Sequence, residues 1–71
     1  MTPHMKTQII ADDLVVHVGT IQEAQPVWLE AFQLAKAHKL RYLTVLPSNG
    51  DRPFCVSLRR MERNPNIKPH W

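Results

Sequence analysis

Four histidines (His4, His17, His38 and His70) and one cysteine, Cys55, are the side chains in this sequence that could ligate a metal or begin nucleophilic chemistry. Zinc sites draw such ligands in closely spaced pairs. Here no two of them lie within a few positions of each other. A cysteine nucleophile needs a base within hydrogen-bond reach and a third group to orient that base. His17 is the one histidine expected on the same side of a sheet as Cys55. The acids that might orient it, Asp12, Asp13 and Asp51, sit where turns are expected. With only Gly19 and Gly50 as glycines, the chain has no glycine-rich phosphate loop. The reading is a non-enzymatic protein with no metal and no cofactor.

The chemistry that the residues do support is recognition. The net charge of +3 is unevenly spread. Up to residue 35, Lys6 stands against Asp12, Asp13, Glu23 and Glu30. Beyond it, Lys36, Lys39, Arg41, Arg52, Arg59, Arg60, Arg63 and Lys68 stand against Asp51 and Glu62. A chain polarised in this way has a basic half suited to an acidic partner. Tyrosine, tryptophan, methionine and arginine are the types enriched where proteins meet. The candidate partner-binding residues are therefore Tyr42, Arg41, Arg59, Arg60, Met61, Arg63 and Trp71.

The elements that position them begin with Ser48-Asn49-Gly50-Asp51. Asn-Gly between two alternating segments signals a tight hairpin, because both central residues must take positive φ. A turn at Asn49-Gly50 sets Val45 opposite Phe54, Leu43 opposite Val56 and Arg41 opposite Leu58. One side of that hairpin is then mostly large and apolar. The other carries Tyr42, Thr44, Leu46, Cys55, Ser57, Arg59 and Met61. Pro47 and Pro53 are expected to fray the turn end.

Residues 5–11 and 14–19 read as a second hairpin around Asp12-Asp13, with Ile9 opposite Val16 and Thr7 opposite Val18. A single bent strand is the alternative. Between the hairpins a helix is expected from about residue 24, with Pro26 in its first turn. A capping box from Thr20 and Glu23 would start it earlier, at the cost of placing Pro26 inside it. Val27, Ala31, Leu34, Ala35 and His38 form one stripe, flanked by Trp28 and Phe32. After Met61 the prolines and asparagines predict an extended tail.

The expected architecture is α+β: a small antiparallel sheet of three or four strands, ordered β-β-α-β-β or β-α-β-β, with one helix on one face. Residues 1–61 form a single domain and 62–71 the tail. A domain of this size buries only about 60% of its unfolded surface, so a homodimer is a natural remedy. No apolar run spans a bilayer, the N-terminus lacks a signal-peptide core and one cysteine forms no internal disulfide, so a cytoplasmic protein is expected.

The second sheet face should combine Gln8, Ile10, Val15 and His17 with the hairpin residues above. This face is too apolar for water alone. The functional expectation is a protein-binding module, an inhibitor or accessory factor of a larger cytoplasmic protein or nucleoprotein machine. The alternative is a nucleic-acid-binding protein that uses the arginine-rich half. In size and layout the chain is similar to many small phage- or plasmid-encoded proteins that inhibit host machinery, an analogy that rests on no motif.

Overall fold

The computed structural model describes residues 6–69. Four strands, β1 (Lys6–Ile10), β2 (Asp13–Val18), β3 (Tyr42–Pro47) and β4 (Phe54–Ser57), form one sheet in chain order. A 3₁₀ segment (Ile21–Val27) leads into helix α1 (Trp28–Ala37), and a short helix α2 (Leu58–Arg63) follows β4. The α+β order ββαββ expected from the sequence is present. The sheet is mixed rather than wholly antiparallel. Both hairpins are antiparallel, but β2 and β3 run parallel. The reason is the connection. A helix leaving the end of β2 carries the chain back across the sheet, so β3 starts beside the start of β2.

The β3–β4 register matches the expectation from Asn-Gly, with Val45 opposite Phe54 and Leu43 opposite Val56. Of the two central residues expected at positive φ only Gly50 adopts it, at 95°, so the connection is a wider loop than the tight two-residue turn expected; the Asn49 and Asp51 side chains and backbone hydrogen-bond around Gly50. The β3–β4 ladder ends at Val45, but this end of β3 is held on its other side. Pro47 pairs with Val18, and the N–H groups of Ser48 and Asn49 donate to the carbonyls of Val18 and Gly19.

The first hairpin keeps the expected faces with a different register. Ile9 lies opposite Leu14 and Thr7 opposite Val16, because the turn falls at Ala11-Asp12. The shift is two positions, so no side chain changes face. Its cost is Ala11 at φ of 54°, a conformation an L-residue with a Cβ adopts poorly. Ala11→Gly is therefore expected to raise stability by about 0.5–1 kcal/mol in urea unfolding. A loss of stability would show that the turn is placed elsewhere.

The core lies between one sheet face and the helices. Leu14, Val16, Leu43, Val45 and Val56 meet Ile21, Ala24, Trp28, Ala31, Ala35, Leu58 and Met61. Ala31 and Ala35 are fully buried, and their small side chains let α1 lie close to β2 and β3. Phe54 is half-buried, its ring 5.5 Å from Trp28 in an edge-to-face arrangement. His38, expected on the buried stripe, is exposed just past the end of α1. The helical path begins at Ile21 rather than residue 24. The tighter 3₁₀ geometry accommodates Pro26, while Glu23 reaches back to accept from the Gly19 N–H at 3.1 Å.

Residues 58–63 were expected to extend β4 and then loosen into a tail. Instead Ser57 caps a helix, its hydroxyl accepting from the Arg60 N–H at 3.2 Å. Helical spacing puts Leu58 and Met61 on one face, and both are buried. Residue 62 thus falls inside α2. The segment that follows packs back on α1 and the 3₁₀ segment: the Trp28 indole donates to the Ile67 carbonyl at 2.8 Å, and the Gln25 amide to that of Pro69 at 3.1 Å.

Candidate functional site

Three of the seven candidate residues come together at one end of the sheet. Tyr42 opens β3 opposite Ser57, the last residue of β4. Arg41 immediately precedes β3, fixed by its N–H donating to the Asp12 carbonyl at 2.8 Å and its carbonyl accepting from Leu58 N–H at 2.9 Å. Helix α2 begins at Leu58, which brings Arg59 alongside. Between them lies a groove of about 530 Å³, with Leu40 and Leu58 as its apolar lining and Glu62 at its side.

Tyr42 is 46% exposed, and Arg41 and Arg59 are both exposed. Arg41 Nε stands 3.8 Å from the Asp12 carboxylate, and Lys36 Nζ 3.8 Å from that of Glu62. Both pairs are largely solvated and bind weakly. Arg41 is thus available to a ligand, and Lys36 offsets Glu62, the acid in the groove's lining. With a phenol and two guanidinium groups lining one groove, the phenol can donate a hydrogen bond and the guanidinium groups can hold carboxylates in bidentate fashion.

The other candidates lie elsewhere. Arg63 is one turn beyond Arg59 on the same face of α2 and extends the basic edge. Arg60 faces a separate hollow beside Phe54, Cys55 and Ile67. Met61, expected on the open sheet face, is only 3% exposed and belongs to the core, because helix rather than strand geometry aims it inward. Trp71 lies outside the described residues, as do His4 and His70.

The open sheet face forms a grid read directly from the register. Ile10, Asp13, Tyr42 and Ser57 make one row, Gln8, Val15, Thr44 and Cys55 the next, and Lys6, His17 and Leu46 the third. Val15 is only 7% exposed although, among the described residues, both helices pack on the other side. Its diagonal neighbours Ile10, Tyr42 and Leu46 are long enough to lean over it, and they are the exposed apolar residues of this face. The Thr44 hydroxyl is 2.8 and 2.9 Å from the two Asp13 oxygens and ties the parallel strands together. Cys55 and His17 share this face but sit on β4 and β2. The strand between them separates their backbones by roughly 10 Å, and His17 Nε2 lies 3.3 Å from Gln8 Oε1. They form no nucleophile–base pair. Among the described residues, no three His, Cys, Asp or Glu side chains gather into a metal-ligating cluster, and no helix is long and apolar enough to cross a membrane.

Sequence reasoning passed over Leu29, which stands off the buried stripe and is 67% exposed beside a hollow lined by Trp28, Phe32, Met61 and Pro65. It also passed over the Ser57 cap, whose signal is a serine directly before a Leu58/Met61 pair at helical spacing. Comparison with known proteins returned no match to a family model, a curated protein or a solved structure.

Proposed function

We propose that this protein is a non-enzymatic binding module that holds an acidic segment of a protein partner in the groove formed by Arg41, Tyr42 and Arg59. The carrying observation is the convergence of these three exposed side chains on one groove with an apolar lining. Tyr and Arg are the side chains that most often dominate a protein interface when they sit over a desolvated floor. Sheets that bind single-stranded nucleic acid usually stack two or three aromatics. The described open face carries Tyr42 alone, which favours a protein ligand.

The test is affinity capture from a host lysate with and without nuclease, followed by titration of the captured partner. Tyr42→Ala is expected to weaken binding by roughly 30-fold, the scale of an interface hot spot. Loss of the captured material after nuclease would replace this reading with nucleic-acid binding, provided Tyr42→Ala also has little effect. In that case log K would fall with log[salt] at about −0.7 to −0.9 per phosphate contact.

A further inference from the structure

The outer edge of β1 lies two strands away from Tyr42 of the groove. β1 is a terminal strand of the sheet, and among the described residues no strand pairs with its outer edge. All five of its residues are exposed, including Ile9 at 48% and Ile10 at 52%, which lie on opposite faces. Natural edge strands are usually blunted by charge, proline or a bulge. β1 has Lys6 at one end and nothing of the kind in Thr7-Gln8-Ile9-Ile10.

The hydrogen bonds that β1 has left can be assigned by parity. In β2 the carbonyl of Val18 accepts from Ser48, and the carbonyl of Asp12, just before the strand, accepts from Arg41 and Tyr42. Even-numbered positions of β2 therefore turn their backbone groups toward β3, and Asp13, Val15 and His17 turn theirs toward β1. Their partners Ile10, Gln8 and Lys6 bond inward. The N–H and C=O groups of Thr7 and Ile9 are left pointing outward.

We propose that two copies of this chain join by antiparallel pairing of their β1 edges, Thr7 of each opposite Ile9 of the other, into one sheet continuous through both copies. In this register the four outward N–H and C=O groups of each copy all find partners, and Gln8 sits on the two-fold axis opposite its own counterpart. The pairing is self-complementary, as a closed dimer requires. On the helix side the two Ile9 side chains become diagonal neighbours across the new interface. On the open side Lys6 of each copy falls beside Ile10 of the other. Its stem lies along that residue, with its ammonium directed toward Asp13 one strand further in. Lys6 is the only cation of this hairpin, and Asp12 and Asp13 are its only acids, so the charges of the two copies are complementary. The proposal does not depend on the Arg41–Tyr42–Arg59 groove. It leaves that groove free in both copies, making the dimer bivalent toward any repeated partner.

The test uses sedimentation velocity from micromolar to millimolar concentration, together with amide hydrogen exchange. A concentration-dependent dimer is expected, with Thr7 and Ile9 amides protected only at high concentration and Gln8 protected throughout. Thr7→Pro removes an outward N–H and leaves the β1–β2 ladder bonds in place. It should weaken the dimer by roughly tenfold or more, because symmetry deletes the bond twice, with the circular dichroism unchanged. Ile9→Lys should weaken it similarly, as edge lysines do. A single 8.2 kDa species at millimolar concentration would overturn the proposal. So would a dimer indifferent to both substitutions, or one in which Thr7 and Ile9 amides exchange freely. Should either variant unfold, the exchange pattern of the unsubstituted chain decides alone.

Discussion

Trp28→Ala is expected to lower stability by about 3–5 kcal/mol, which for a domain of this size is most of the folding free energy. Trp28 is 5% exposed and joins three parts of the molecule. Its ring stands edge-on to Phe54 of β4, its backbone begins α1, and its indole N–H holds the Ile67 carbonyl. Truncation opens a cavity beneath β4 and frees the segment beyond α2 at the same time. Urea unfolding reads the first effect, and amide exchange of residues 64–69 reads the second. Trp28→Phe separates the two contributions. It keeps most of the apolar volume and loses one hydrogen bond, so about 1–2 kcal/mol is expected, with residues 64–69 still exchanging faster. A cost below about 1 kcal/mol for Trp28→Ala would mean that the indole does not hold this position.

The second large effect concerns the groove. Reversing both guanidinium groups, Arg41→Glu with Arg59→Glu, should weaken binding of the acidic partner by about 100-fold or more at low salt, since like charges brought together at an interface cost several kcal/mol. Both residues are exposed, so the fold should survive. The informative control is Arg52→Glu. Arg52 lies in the loop before β4, at the far end of the hairpin from Tyr42, and its reversal changes the net charge as much as Arg59→Glu does. Arg59→Glu should cost far more than Arg52→Glu. Equal losses from the two would indicate diffuse attraction to a basic molecule and would remove the groove from the argument.

How far the sequence foretold these features depends on how much local chemistry each one carries. The β3–β4 register was readable because Asn49-Gly50 and the alternation from Leu43 to Val56 impose the same answer independently. The first hairpin lacks that agreement. Its turn residues, Ala11 and Asp12, include an alanine at positive φ that no turn rule selects, so alternation fixed the faces while the register slipped by two. The parallel pairing of β2 and β3 comes from where the helix returns the chain, information no single segment holds. For Phe54 to Met61, strand and helix periods compete over eight residues, and the Ser57 cap tips the last part toward helix. That choice moved Met61 into the core and kept Arg59 beside Tyr42. The groove was therefore foreseen as a set of residue types, and its membership was decided by three-dimensional placement.

The sheet order also bears on how the chain finds its structure. Because spatial order equals chain order, two of the three strand pairings close across short connections. Only β2 with β3 must bridge a long stretch, about 30 residues, and the entropy of closing such a loop grows only with the logarithm of its length. The 3₁₀ segment and α1 occupy most of that stretch, so as they form they shorten the free chain that separates the two hairpins. The Asp13–Thr44 contact lies at the junction where the hairpins meet. The parallel β2–β3 pairing is the non-local step that must close before the two hairpins become one sheet, and parallel pairing of this kind is what slows the search for the native state.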